Sequence, residues 1–553
     1  MKSFLTKISA LFLLFAVVSC SKDALRQYDA LQQKNAVESL NDPYLLSSIL
    51  KQTSLFYQKM GYEASKLPGA VQQMGRNVQG GDNTYQGFKQ PTTDMYDAMN
   101  VLKFIDASIK LADGRSSKTH VGIFTTFRVL LFSFMTDYYG DVYYSQALQG
   151  REGILYPEYD TQAAIYTGLL KELDAAAANI STGTDVVNST YDLMFGGDKA
   201  QWLKFCNSVK LRLLMHASAK LTDVGAQITA LISKPLLTDA TDKNASVAYV
   251  GTTAANSWIG GSNNWAGGGE FERRKPCKTF VDKLLSYNDP RAAVWFAPVE
   301  KPWTKDPAKN DVKFTTTDPN GFTYTSTWEY VDMTNPLISA QAANIIDWDK
   351  TYVGFIAGMN GDFKNGNGHY DTAAGGSTGN YKVSMFSKLF QQNSHALLTA
   401  QIMNKDEVQF DLAEAVVKGY ISGNADTYYR AGITYSMQRW GLSTAAISTY
   451  LAQASIALPS DNAGKLIKIA EQKWISLFTV SSEAYLEVRR SQSVFSGMTP
   501  NFFNNGQLAT YKFPQRYRYP TAELGQNVGA YNKGVATLSP AVDDEFSKMW
   551  LLQ

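Results

Sequence analysis

Two sets of carboxylates stand where general acid–base chemistry is conceivable. Glu483 and Glu487 lie four residues apart, and Glu407, Asp411 and Glu414 follow one another at four and three, so each set shares a face if its segment is helical. Glycoside hydrolysis needs two carboxyls facing one another at about 5 or about 6.5–9.5 Å, a separation that spacing along one helix does not define. Arg489 and Arg490 follow Glu487 closely, which favours an ion-paired helix end over a catalytic pair. Nucleophilic and metal chemistry is poorly supplied. The four histidines, His120, His216, His369 and His395, form no H-E-x-x-H motif. Gly375-Gly-Ser-Thr-Gly379 matches the G-x-S-x-G pattern, but Asp371-Thr-Ala-Ala before it and Asn380-Tyr after it are neither the apolar strand nor the helix that a nucleophile elbow requires. A flexible loop is the better reading. Phosphate-cradling glycine motifs are absent, and the loop around Asp362 lacks the alternating carboxylates of a calcium hand. No metal site and no cofactor are expected; a structural calcium ion is left open.

Binding chemistry is better represented. Trp258, Trp265, Trp303, Trp328, Tyr330 and Trp348 lie among Asn, Gly, Thr and Ser rather than at core periodicity, so these rings are expected to face solvent. A flat ring laid on the apolar face of a sugar removes roughly 60 Å² from water, worth about 1.5 kcal/mol. Asn263 and Asn264 are placed to donate amide hydrogen bonds to hydroxyls. A second candidate set is Arg76, Asn77, Tyr85 and Phe88, in the polar stretch GRNVQGGDNTYQGF. The competing reading is that half or more of these rings pin loops to the body. Trp202, Trp440 and Trp474 fall on predicted helices, and Trp295 sits in RAAVWFAPV, so those four are assigned to the core.

The elements that must carry these residues are mostly helical. Ile123, Phe127, Leu130, Leu131 and Phe134 recur at helical spacing within 122–139, with Gly140 as a stop. Residues 160–180 repeat the pattern behind Asp160 as N-cap, 199–220 adds Trp202, Phe205, Val209, Leu213 and Met215, and 404–421, 425–440 and 463–490 follow, punctuated by Gly423 and Gly441. Paired amphipathic helices with short turns predict a tetratricopeptide-like scaffold of helical hairpins, although no regular repeat of about 34 residues is present. Between about 250 and 390 the composition changes: 15 of the 41 glycines and six of the ten tryptophans fall there. Such a segment predicts long irregular, partly β loops inserted in the helical frame, and it is where a ligand face is expected. Cys206, among Trp202, Leu203, Phe205 and Val209, is read as a buried free thiol.

Composition bounds the function. The 553 residues carry 52 basic and 50 acidic side chains, too balanced for a nucleic-acid binder, and 44% hydrophobic with 18% charged residues excludes disorder. The N-terminus is specific. Lys2 and Lys7 precede an apolar run of eleven residues at 8–18, short of the roughly 20 that span a membrane, which predicts a signal peptide at 1–19. Val17-Val18-Ser19-Cys20 resembles a lipobox, so Cys20 is expected to carry lipid and tether the remaining chain to a membrane without spanning it.

TFRVLLFSFMTDYYGDVYYSQAL (126–148), YPEYDTQAAIYTGLLKELDAA (156–176) and GGDKAQWLKFCNSVKLRLLMHAS (196–218), followed in order by FVDKLLSYNDPR (280–291), IAEQKWISLFTVSSEAYLEVRRS (469–491) and PQRYRYPTAELGQNVGAYNKGVA (514–536), together resemble the SusD/RagB family of surface nutrient-binding lipoproteins. The resemblance spans residues 20–553 and implies a mostly α, tetratricopeptide-like domain with a loop-rich ligand face. It implies a non-enzymatic protein, lipid-anchored in the outer membrane and facing the exterior, that captures oligosaccharides and passes them to a SusC-like TonB-dependent barrel. The same role with a peptide ligand, and a secreted glycosidase, are the alternatives. The resemblance transfers no ligand-binding residue.

Overall fold

The computed structural model describes residues 40–63, 66–76, 85–89, 91–262, 271, 274–332, 334, 347–355, 382–495, 501–504, 507–510 and 512–553. The proposed signal peptide and Cys20 lie outside them, as do Asn77, Asn263, Asn264, Trp265 and the Gly375–Gly379 stretch.

A run of helices carries the frame: α1 (Asp42–Gln58), α2 (Asp94–Gly114), α3 (Lys118–Tyr139), α4 (Gln162–Thr182), α5 (Lys199–His216), α6 (Lys278–Ser286), α7 (Lys405–Val417), α8 (Ala425–Arg439), α9 (Asn462–Ser476) and α10 (Ser481–Arg490). Side-chain oxygens satisfy their first N–H groups: Asp198 accepts from Ala200 and Gln201, Asn424 from Asp426 and Asp461 from Gly464. The N-cap of α4 is Thr161, which accepts from Ala164, whereas Asp160 turns back to the N–H groups of Tyr144 and Ser145. Sequential helices pack as antiparallel neighbours, α2 on α3, α3 on α4, α4 on α5, and α7 on both α8 and α9, with α5 meeting α7.

Helix α3 is the axis. It is apolar on nearly every face, and although it is long and apolar enough to cross a membrane, 83% of its most apolar window is buried inside the protein, as a core helix requires. Gly122 permits the close crossing with α4, since a Cβ there would stand 2.5 Å from the Ala176 carbonyl oxygen. Gly140 ends α3 at φ 93°, as the spacing predicts, while its N–H donates to the Thr136 carbonyl.

The helix expected over 463–490 is two. Residues 477–480 break it, with Thr479 at φ 74°, yet Leu477, Phe478 and Val480 are buried, so the apolar pattern runs through the turn without marking it. The helix expected to reach residue 220 stops at His216.

Short strands come from the stretch before α2 and from the segment after α5. Strand β1 (Met74–Arg76) pairs antiparallel with β3 (Arg274–Pro276), and β2 (Ala245–Ala248) with β8 (Thr399–Met403). β4 (Trp303–Thr304) runs parallel to β7 (Glu329–Tyr330), and β5 (Lys313–Thr317) forms a hairpin with β6 (Thr323–Thr327). Aromatic packing ties this region to the helices. Phe280 on α6 stacks on Trp295 at 5.6 Å and meets Trp474 of α9 edge-on at 5.2 Å, while Phe478 and Trp440 close the cluster. Trp202, Trp295, Trp440 and Trp474 are all core residues, and Cys206 is a buried thiol whose pKa burial pushes up to about 12.

Candidate functional site

The carboxylates that spacing brings together do not form a reactive pair. They belong to an ion network buried between α3, α5, α7, α9 and α10. Arg212 donates Nε and Nη2 to the two oxygens of Glu407, at 2.5 and 2.6 Å, and lies 3.6 Å from Glu483. Lys473 bridges Asp411 at 2.6 Å and Glu487 at 2.9 Å. Arg490 holds Glu414 at 2.5 Å and Glu487 at 2.7 Å. Burial pushes the Glu407 carboxyl up to about 7 against the pull of Arg212, and His216 and Arg212 overcome burial to hold Glu483 well below the usual range. Arg490 pairs with Glu487 as the ion-paired helix end expected from the sequence, and Arg489 is buried. Every member is locked by an opposite charge, which fits a cross-brace between helices. Among the described residues, no group of three or more His, Cys, Asp or Glu is arranged to hold a metal ion.

The aromatic candidates separate into two groups. Trp258 (2% exposed) packs against Tyr249 and Phe390, and Trp303 (5%) lies under the Lys382 ammonium, so neither meets the expectation of a solvent-facing ring. Tyr85 and Phe88 are likewise buried: Tyr85 meets Phe88 and Phe513 edge to face, and Phe88 stacks on Tyr485. A polar sequence neighbourhood misleads here, because these rings are the anchors that hold polar loops to the body. Arg76 pairs through its backbone with Arg274.

Trp328, Tyr330 and Trp348 remain half-buried and reach the surface together. Pairing of β4 with β7 sets Trp303-Thr304 beside Glu329-Tyr330, and the Asp349 N–H donates to the Trp303 carbonyl at 2.9 Å, so three segments converge. The Trp328 N–H and the Asp311 N–H each bond across to the other segment, to the carbonyls of Val312 and Trp328. Phe314 on β5 stacks behind Trp328, with centroids 5.1 Å apart and planes inclined by 28°. Lys309 stands 5.1 Å from the Trp328 ring and 2.8 Å from Asp349, and Lys305 stands 4.9 Å from the Trp348 ring.

The hairpin beside them has two unlike faces. Ser326 and Tyr324 turn inward, where Asp318 accepts from the Tyr324 and Ser387 hydroxyls at 3.0 and 2.9 Å. Lys313, Thr315, Thr317, Thr323 and Thr325 turn outward as an exposed hydroxyl-rich face. Phe314, and with it the Trp328 ring, lies on the inward face, opposite the threonine row. Flat rings flanked by ammonium groups suit a polyhydroxylated ligand with apolar ring faces. Phe314, Lys305, Lys309 and Asp349 were not selected from the sequence; the β-branched runs KFTTT and TYTST around Asp318-Pro-Asn-Gly321 are the hairpin signal that leads to them.

The family model SusD-like_2, described as starch-binding and associating with the outer membrane, matches residues 34–358 and 349–520. The chain belongs to the SusD-like family. Its nutrient-binding role and its association with the outer membrane follow from that membership. Solved SusD-like structures share the fold. A SusD homolog from Bacteroides fragilis NCTC 9343 is 18% identical, with a TM-score of 0.69 over 91% of this chain and 100% of its own. A SusD-like protein from Bacteroides thetaiotaomicron VPI-5482 is 18% identical, with a TM-score of 0.65 over 92% and 98%. A chitin-binding protein is 20% identical, with a TM-score of 0.68 over 93% and 100%. No curated protein matches the chain. The mostly helical SusD-like frame read from the sequence is the observed one.

Proposed function

We propose that this SusD-like protein is a non-enzymatic, lipid-anchored protein of the cell exterior that captures oligosaccharides and delivers them to a SusC-like TonB-dependent barrel. The observation that carries the ligand class is the half-exposed trio of Trp328, Tyr330 and Trp348, with Phe314 stacked behind Trp328 and the Lys305 and Lys309 ammonium groups beside the rings. Each ring face covered by a sugar contributes on the order of 1 kcal/mol, so two or three rings supply roughly 2–3 of the about 8 kcal/mol that micromolar binding needs, and hydrogen bonds to the hydroxyls must supply the rest. Lys309 must move from Trp328 for a sugar to cover that side of the ring. Its ammonium is exposed and its partner Asp349 is at the surface, so solvent screens the contact that has to break.

Absence of catalysis is supported by the fate of the carboxylates. Glu407, Asp411, Glu414, Glu483 and Glu487 are each buried against Arg212, Lys473, Arg490 or His216 rather than open to a glycosidic bond. Affinity electrophoresis on a panel of polysaccharides and peptides, with an assay for new reducing ends on the same mixtures, tests the reading. Retardation by polysaccharide without new reducing ends is the expected result. Retardation by peptides alone, or release of sugar products, contradicts it.

A further inference from the structure

A second cavity, of about 300 Å³, opens between the C-terminal ends of α5, α7 and α10 and the last residues of the chain, and none of its lining comes from residues 250–390. Six cationic side chains line it, His216, Lys220, Lys418, Arg489, Arg490 and Lys548, and no Asp or Glu side chain does. Glu414, behind the wall, holds Lys418 and Arg490, and Glu487 also holds Arg490. Lys220, Arg489 and Lys548 have no carboxylate partner among the described residues.

Cations at helix C-termini offset the partial negative charge of the final carbonyls, which accounts for His216, Lys418 and Arg490 at the ends of their helices. It applies to Arg489 in the last turn of α10 as well, but not to Lys220 and Lys548, which lie outside any helix. Arg489 is 5% exposed; its Nη1 donates to the carbonyls of Asp137, at 2.5 Å, and Gln515, at 3.0 Å, but its Nε meets no acceptor. A guanidinium taken out of water with no carboxylate to balance its charge is costly, and an anion bound in the adjoining cavity offsets that charge. Planar guanidinium donors with flanking ammonium groups match an oxyanion bearing several acceptor oxygens, and the volume admits such an ion or a single sugar bearing one.

We infer that this cavity is a binding site for a tetrahedral oxyanion of the phosphate or sulfate class, separate from the aromatic face. Isothermal calorimetry and thermal unfolding of the full chain with sodium phosphate and sodium sulfate, against sodium chloride at matched ionic strength, test it. Saturable binding of one oxyanion per chain and a rise in Tm beyond that given by chloride are expected. The double variant Lys220→Ala/Lys548→Ala should weaken binding at least tenfold with unchanged helical circular dichroism, while Lys51→Ala/Lys171→Ala, elsewhere on the surface, should bind as the parent does. Glucose 6-phosphate that competes with inorganic phosphate shows that the site accepts a carried group, and failure to compete shows a site for the free ion; both support an oxyanion site. Phosphate and sulfate effects no larger than those of chloride, full binding by Lys220→Ala/Lys548→Ala, or equal weakening in both double variants overturns it. Oligosaccharide retention is unaffected in each variant, so this inference and the proposed function fail independently.

Discussion

His216 Nε2 stands 2.7 Å from Glu483 Oε1, and the Nδ1 of the same ring stands 3.1 Å from Asp137 Oδ2, so one imidazole on α5 joins α10 to α3 inside the protein. Both ring nitrogens face acceptors, which is the arrangement a protonated ring satisfies. Burial disfavours that charge, but Glu483 and Asp137 outweigh it and raise the pKa from 6.5 to about 9.

Stability should therefore depend on alkaline pH. A raised folded-state pKa gives His216 a contribution that is complete below pH 6.5 and is lost as pH climbs through about 9, on the order of 3 kcal/mol in all. Urea unfolding of the parent and of His216→Gln should differ most near pH 6 and converge by pH 9.5. A difference that stays constant across that range contradicts the assignment.

The Arg212 bridge predicts a non-additive pair. Arg212→Met leaves Glu407 and Glu483 without their shared guanidinium and should cost about 3–5 kcal/mol by denaturant unfolding. Adding Glu407→Leu removes one of the stranded carboxylates and should restore part of that loss. Simple addition of the two single effects would show that the pair is not coupled.

The N-terminal expectation is tested directly in cells. Metabolic labelling with palmitate should mark the parent, and Cys20→Ala should abolish the label and release the protein from the membrane fraction. Label retained in Cys20→Ala places the lipid elsewhere.

The helical frame was readable because its signals are local. The apolar spacing in α3, the stop at Gly140 and the helices broken near Gly423 and Gly441 all depend on residues within a few turns of one another. The break at Thr479 was not readable, since Leu477, Phe478 and Val480 keep the apolar pattern through it. Ring exposure is a tertiary property, and it escaped for the same reason in both directions. Trp258 and Trp303 sit among polar residues yet are buried by Phe390 and Lys382, which are distant in sequence, whereas Trp328, stacked on Phe314 of the β5–β6 hairpin, stays half-buried. The pairing of Arg490 with Glu487 was readable because they stand three residues apart, whereas the burial of Arg489 depends on residues distant in sequence.

Ligand capture by the aromatic face is the central claim, and the calorimetric Kd of Trp328→Ala/Trp348→Ala for a retained oligosaccharide measures it most directly. Both rings are half-buried on short surface segments, so helical circular dichroism and Tm should stay close to those of the parent. Removing two stacked sugar faces, about 1.5 kcal/mol each, should weaken binding by more than tenfold. An unchanged Kd in a folded double variant would contradict the account.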